Sequence, residues 1–203
     1  MKTRYGGWIC ALALAGLALT IPRLSADDTK PPADKEEKKE SPAPAKAEIG
    51  KPAPDFTLKS YDGKEHKLSS LKDKVVVLEW FSKDCPACKK YLPDIKALEK
   101  KYRAKGVVWF AMDSTNYHTD EENAKAAKKL KIEYPILSDF DGKTGRAYGA
   151  KTTPHVFIVN KGTLVYAGGL LEPRGKKRAH VELALDEVLA GKKVSVDTTK
   201  PFG

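Results

Sequence analysis

The sequence predicts an α/β fold in which a mixed central sheet carries helices on both faces. Strand and helix patterns alternate at first, and a strand hairpin followed by a helix comes later. The continuous apolar run Val75 to Phe81 is typical of a strand that is covered on both faces. A strand–helix–strand unit gives parallel strands, whereas a hairpin gives antiparallel ones, so the predicted sheet is mixed.

The first 26 residues have the layout of a secretory signal peptide. Lys2 and Arg4 precede an apolar run from Trp8 to Ile21, and Leu24-Ser25-Ala26 offers a small residue for cleavage. The run is shorter than the about 20 apolar residues that a membrane-spanning helix needs. We therefore expect residues 1–26 to be a signal peptide and the protein to be exported, periplasmic or secreted. An uncleaved N-terminal membrane anchor is the alternative.

The stretch that follows the signal peptide differs in composition from the rest of the chain. Residues 27–47 are rich in Lys, Glu, Pro and Ala and contain no aromatic residue. Such a segment cannot bury enough apolar surface to offset the entropy lost on ordering. We therefore predict a disordered linker at 27–47 and one folded domain at 48–203.

The domain is predicted to begin with a hairpin, a buried strand and a long helix. Asp62-Gly63 is a hairpin turn signal, and it lies between strand patterns at 54–58 and 65–68. The apolar strand at 75–81 comes next. A helical pattern then runs from 89 to about 105.

The second half of the domain alternates again and ends in a helix. Its predicted elements are a strand at 107–112, a helix from 119 to about 131, a short helix near 144–148, strands at 156–159 and 164–167, and a helix at 179–190. Thr119 and Glu122 match a capping box at the start of the first helix. Asn160-Lys161-Gly162 is a turn signal that predicts an antiparallel pair.

The chain is basic, with a formal net charge of +10 at pH 7. Without residues 1–26 it keeps 34 basic and 27 acidic residues. No nucleic-acid recognition motif accompanies the basic runs, and export argues against such a partner. The charge is best explained by a solvated basic surface, so we expect no nucleic acid as partner.

Cys85-Pro86-Ala87-Cys88 carries the chemistry. The motif lies between the buried strand and the long helix, where unpaired N–H groups and the helix dipole favour a thiolate. Removal of the signal peptide would also remove Cys10 and leave only this pair. A disulfide that closes so short a loop stabilises a fold little, so the pair is reactive rather than structural.

The surroundings of this motif resemble the thioredoxin superfamily. Glu79 lies six residues before Cys85, and Pro93 lies eight after it, as a carboxylate and a helix proline do in that family. Thr153-Pro154 resembles the family's cis-proline segment. The lead-in at 52–58 is similar to the exported TlpA/ResA-type and redoxin branch. The resemblance covers about residues 48–190 and implies a three-layer, thioredoxin-like fold.

The resemblance also implies roles for the residues. Cys85 would attack a disulfide, and Cys88 would resolve the mixed disulfide. Glu79 would take the proton from Cys88, and its apolar strand should raise its pKa. The alternative for Glu79 is a strand-end carboxylate that reaches solvent. Thr153 and Pro154 would bind a substrate peptide in strand fashion.

Three residues near the cysteines are expected to tune the redox potential. Asp84 stands where the family usually has a tryptophan, and its charge opposes a thiolate at Cys85. Pro86 and Ala87 replace the histidine found between the cysteines of strongly oxidising relatives. We expect a potential near the reducing end of the range, roughly −200 to −270 mV, although Lys83 favours the thiolate.

The leading functional hypothesis is an exported thiol–disulfide oxidoreductase that acts as a reductant on protein disulfides. It would need no cofactor and no metal, would be a monomer, and would draw electrons from a membrane partner. One alternative is a thiol peroxidase, because Ser82 lies three residues before Cys85, although Leu78 and Pro154 depart from the peroxiredoxin pattern. Another is a copper-binding chaperone, because thiolates suit Cu(I). The sequence leaves the direction of electron flow and the partner open.

The histidines add little to the sequence-based hypothesis. His66, His118 and His180 resemble surface residues. His155 follows Pro154 and is interpreted as an ordinary strand residue. Partner binding or proton handling by His155 is the alternative.

Overall fold

The computed structural model describes residues 46–170 and 180–201. The predicted signal peptide lies outside the described residues, as does the predicted linker apart from Lys46 and Ala47. The strands are β1 (Thr57–Lys59), β2 (Glu65–Lys67), β3 (Val75–Trp80), β4 (Val108–Asp113), β5 (Ile136–Ser138), β6 (His155–Asn160) and β7 (Thr163–Gly168). The helices are α1 (Pro86–Arg103), α2 (Asp120–Leu130), α3 (Lys143–Tyr148) and α4 (His180–Leu189), and a 3-10 turn spans Leu68–Leu71.

The central sheet has five strands in the order β5-β4-β3-β6-β7. β3 pairs parallel with β4, and β4 pairs parallel with β5. β6 pairs antiparallel with both β3 and β7. The predicted mixed sheet is therefore confirmed, and β3, which leads into the cysteine motif, is its central strand. β1 and β2 form the separate antiparallel hairpin that the Asp62-Gly63 turn predicts.

The two faces of the sheet bury separate hydrophobic clusters, because side chains alternate along each strand. Apolar residues of α1 and α4 pack on one face, together with Val77 and Trp109. The hairpin, the 3-10 turn and α3 cover the other face, together with Leu78 and Trp80. Glu79 falls in the same alternating set as Val77 and therefore points into the α1 side of the sheet.

Helix α1 starts and packs as its sequence dictates. Cys85 is the N-cap residue, and Pro86 occupies the first turn, where its missing N–H costs nothing. Leu92, Ile95 and Tyr102 are buried at helical spacing and fix the helix on the sheet. Basic residues fill the last turn, where their positive charges interact favourably with the negative end of the helix dipole. Within residues 46–170 and 180–201, no helix has both the length and the apolar character needed to cross a membrane.

Candidate functional site

The two cysteines lie at the junction between β3 and α1. Cys85 is half-buried at the N-cap, and Cys88 is fully buried one turn into the helix. Both are free thiols. Pro86 is exposed and Ala87 is half-buried, so the inner dipeptide faces outward beside Cys85. A ligand that approaches this end of the sheet would meet the sulfur of Cys85 before that of Cys88.

Cys85 has the environment of a nucleophile. The backbone N–H of Cys88 donates to Cys85 Sγ at 3.4 Å, as a capping donor does. Burial raises the pKa of the Cys85 thiol, but hydrogen bonding with the side chain of Thr153 and with the backbone of Cys88 and Ala87 outweighs burial, and the pKa is lowered overall. The thiolate, which is the reactive form, is thereby favoured.

The segment at Thr153 faces the Cys85 sulfur. The Cys85 thiol donates to the carbonyl oxygen of Thr153 at 3.1 Å. The Thr153–Pro154 peptide bond is cis, as the resemblance implies. Thr153 is half-buried and Pro154 is buried, so Thr153, whose carbonyl oxygen faces Cys85, is the more accessible of the two.

Cys88 has the opposite environment and lies near a buried carboxyl group. Burial raises the pKa of Cys88, and the charges of Glu79 and Cys85 raise it further. Glu79 has no exposed surface, so the interpretation of Glu79 as a strand-end carboxylate that reaches solvent is wrong. Burial raises the pKa of Glu79 to about 7, against the opposing effect of two hydrogen bonds.

The hydrogen bonds of Glu79 occupy only one of its two oxygens. The indole Nε1 of Trp109 donates to Oε2 at 3.1 Å, and the hydroxyl of Tyr134 donates to the same atom at 3.3 Å. Oε1 is buried and finds no hydrogen-bond partner among the described residues. A buried carboxyl oxygen without a partner can accept a proton without breaking an existing hydrogen bond.

Asp84 is not a free carboxylate beside Cys85. Lys83 Nζ lies 2.8 Å from Asp84 Oδ2, and His118 Nε2 lies 2.9 Å from the same oxygen. Hydrogen bonds from Lys83 and then His118 lower the pKa of Asp84. The prediction of His118 as a surface residue is therefore wrong, because its side chain is fully buried between Asp84 and Asp113. Only the tertiary fold brings these segments together, and no local pattern signals the contact.

His155 is also buried, next to Pro154. The backbone N–H of Lys151 donates to its Nδ1 at 3.3 Å, and its ring lies 4.4 Å from that of Phe157. Burial, followed by the charge of Lys151, lowers the pKa of His155 to about 4. The residue is therefore a neutral imidazole in the strand at neutral pH. The described part of the chain holds no group of three or more His, Cys, Asp or Glu residues arranged to bind a metal ion.

Comparison with known proteins relates this chain to redox proteins. The family model described as the AhpC/TSA family matches residues 49–167. The thiol-disulfide oxidoreductase ResA of Bacillus thuringiensis subsp. konkukian is 33% identical over 116 residues, which are 57% of this chain and 66% of that protein. The thioredoxin-like protein YneN of Bacillus subtilis is 30% identical over 141 residues, which are 68% of this chain and 79% of that protein.

The solved structures agree with these sequence matches. The crystal structure of a candidate thiol:disulfide interchange protein, DsbE, from Chlorobium tepidum aligns with a TM-score of 0.54 and 28% identity over 60% of this chain and 84% of that chain. The chain spans just under two thirds of the length of the ResA proteins that it matches. The thioredoxin-like fold is thus shown, and the match over residues 49–167 establishes that the chain belongs to the AhpC/TSA family.

Proposed function

We propose that this protein is an exported thiol–disulfide oxidoreductase that reduces disulfide bonds of protein substrates through Cys85 and Cys88. The observation that carries the proposal is the contrast between the two thiols. Cys85 is half-exposed and its pKa is lowered, whereas Cys88 is buried and its pKa is raised. A dithiol of this kind attacks with one sulfur and resolves with the other.

In the first step, the Cys85 thiolate attacks one sulfur of a substrate disulfide. A bond forms between Cys85 and that sulfur, and the other substrate sulfur leaves as a thiolate. The N–H of Cys88, which already donates to Cys85 Sγ, stabilises the attacking anion. The carbonyl of Thr153 lies 3.1 Å from the same sulfur and is placed to pair with an extended substrate segment.

In the second step, Cys88 resolves the mixed disulfide. Glu79 takes the proton from the Cys88 thiol, directly or through a water molecule, and the Cys88 thiolate attacks Cys85 Sγ. The second substrate sulfur leaves, and Cys85 and Cys88 are joined in a disulfide. With a pKa of about 7, Glu79 can both accept this proton near neutral pH and release it afterwards.

The remaining parts of the proposal concern the direction of electron flow and the cellular location of the protein. The relatives are named thiol-disulfide oxidoreductase and thioredoxin-like protein, which supports exchange chemistry. A reductant needs a new pair of electrons after each cycle, and we propose that a membrane protein supplies them. The proposed export rests on residues 1–26, which have the layout of a signal peptide.

The test is a single turnover of the reduced protein with insulin as disulfide substrate. We expect stoichiometric reduction of insulin, no reaction in Cys85→Ser, and arrest at a mixed disulfide, visible by mass spectrometry, in Cys88→Ser. Glu79→Gln should slow resolution and leave the first attack unchanged. A resolution rate in Glu79→Gln equal to that of the unmodified protein would remove Glu79 from the mechanism.

The reduction potential tests the direction of electron flow. Equilibration in graded glutathione or dithiothreitol buffers should give a potential of roughly −200 to −270 mV. A value above about −150 mV would indicate an oxidant instead. Rapid consumption of hydrogen peroxide that is lost in Cys85→Ser would favour a peroxidase, and copper retained stoichiometrically after purification would favour a copper chaperone.

A further inference from the structure

A buried histidine from the loop between β4 and α2 contacts the residue that precedes the reactive cysteine. His118 Nε2 lies 2.9 Å from Asp84 Oδ2, and His118 Nδ1 lies 2.8 Å from Asp113 Oδ2. The three side chains form a chain from the end of β4 to the start of α1. We call Asp84, His118 and Asp113 the acid–histidine relay.

The inner end of the relay is rigid. Asp113 has no exposed side-chain surface, and its carboxylate also accepts hydrogen bonds from Asn123 Nδ2 at 2.9 Å and from the backbone N–H of Thr115 at 3.1 Å. The His118 side chain is likewise 0% exposed, and the ring of Tyr117 packs edge-on against it at 4.9 Å. The ring of His118 is therefore held in one orientation.

The outer end of the relay is partly exposed and charged. The Asp84 side chain is 53% exposed and also binds Lys83 Nζ at 2.8 Å. Lys83 in turn lies 3.7 Å from Glu122 on α2. The groups that face the relay are thus Lys83 and Glu122 at its outer end and Tyr117 beside the ring.

The contacts of His118 show how Asp84 is held. An ionised carboxylate can only accept hydrogen bonds. Nε2 of His118 therefore donates to Asp84 Oδ2 at 2.9 Å, and Lys83 Nζ lies 2.8 Å from the same oxygen. The Asp84 carboxylate is thus held between two donors.

This arrangement bears on Cys85, because Asp84 is its immediate neighbour in the chain. An unpaired carboxylate at that place would disfavour a second negative charge on the sulfur. We propose that His118 is a positioning residue that holds the Asp84 carboxylate by this hydrogen bond, and so prevents it from opposing the ionisation of Cys85. The inference deepens the proposed function and rests on it for its biological meaning.

The experiment measures the ionisation of Cys85 directly. The rate of alkylation by iodoacetamide is followed against pH in the full chain carrying Cys10→Ser and Cys88→Ser, so that Cys85 is the one remaining thiol. His118→Gln should raise the alkylation midpoint and lower the rate at pH 7 by roughly three- to tenfold, as a shift of half to one pKa unit would. His66→Gln, on the hairpin away from this contact, should leave the midpoint unchanged.

A double-variant comparison separates action through Asp84 from other effects. In an Asp84→Asn background, His118→Gln should no longer shift the alkylation midpoint. A shift of equal size in both backgrounds, or none in a folded His118→Gln protein, would overturn the proposal. A purely structural role would lower the melting temperature without moving the midpoint.

A measurement without any substitution in the relay covers the case in which His118→Gln does not fold. Nitrogen-15 NMR of the imidazole rings should show that Nε2 of His118 carries a hydrogen-bonded proton, and a ring without a proton on Nε2 would overturn the proposal. Neither readout requires disulfide exchange. If insulin is not reduced but His118→Gln still shifts the alkylation midpoint, the proposed function is rejected while the proposed role of His118 stands.

Discussion

Glu79 is a buried carboxyl group whose ionisation opposes folding. Its pKa is about 7 in the folded protein and 4.5 in an exposed reference. Below about pH 4.5 both states are protonated and the group costs nothing. As the pH rises, the unfolded chain releases this proton first, so folding stability falls between pH 4.5 and 7 and the loss is complete above that range.

Glu79→Gln should therefore stabilise the protein at pH 8 but not at pH 4. Each pKa unit corresponds to about 1.4 kcal/mol, so the expected gain in the free energy of unfolding at pH 8 is of the order of 3 kcal/mol. The Gln side chain can still accept the hydrogen bonds from Trp109 and Tyr134. Urea unfolding of both proteins at the two pH values measures the gain. Equal stability differences at pH 4 and pH 8 would mean that Glu79 does not titrate in this range.

The sequence predicts some residues of the site and misses others for a physical reason. Cys85 and Cys88 are predicted from the local motif at the start of a helix, and Glu79 is predicted from the resemblance to the thioredoxin superfamily. His118 is missed because its partner Asp84 is 34 positions away. A histidine between Tyr117 and Thr119 has a polar local sequence, and only the tertiary fold buries it.

At the scale of elements, helix boundaries are the best predicted feature, because they depend on local chemistry. The capping box of α2 forms as expected, with Thr119 Oγ1 accepting from the N–H of Glu122 at 3.2 Å and the Glu122 carboxylate accepting from the N–H of Thr119 at 3.0 Å. The β6–β7 turn also forms, with positive φ at Lys161 and Gly162. β5 was not predicted, because its three residues are too few to show a period of two and, unlike the equally short β1 and β2, it does not flank a hairpin turn signal.

Thr119→Ala should weaken α2 at its first turn. The substitution removes the oxygen that caps the Glu122 N–H, and such losses cost about 1 kcal/mol. Thermal unfolding should report the loss, and hydrogen exchange should localise it to the start of the helix. Lys125→Ala, which breaks the exposed Glu121–Lys125 pair on the same helix, is the control and should change stability little. Faster exchange throughout the domain would contradict a local effect.

At the scale of the whole molecule, remote segments close both edges of the sheet. The outer edge of β7 pairs with the lead-in, where Gly50 donates to Leu164, and with the C-terminal segment, where Ala167 pairs with Thr198. Ser60 bridges to Leu137 at the opposite edge. The sequence does not predict these contacts, because single bridges carry no periodicity. Covered edges resist pairing between copies, which supports the expectation of a monomer.

Thr199 of the C-terminal segment packs directly against Gly168 of β7, so a substitution at Gly168 tests whether this segment covers the edge of the sheet. A Cβ at Gly168 would collide with Thr199 Oγ1 and would lie 2.8 Å from the Thr199 backbone N and O. Gly168→Ala therefore forces Thr199 away from β7, and we expect a loss of about 1–3 kcal/mol, as for other overpacked sites.

Thr199→Val is the matched variant for this contact. It removes the hydroxyl that bonds Tyr166 and the N–H of Gly169 but leaves the backbone pairing intact. We expect only Gly168→Ala to expose the β7 edge, and therefore only Gly168→Ala to self-associate with rising concentration in size-exclusion chromatography. A monomeric Gly168→Ala protein with unchanged stability would show that the C-terminal segment does not protect the sheet. Self-association of both variants would mean that the hydroxyl contacts, rather than the backbone pairing, hold the segment in place.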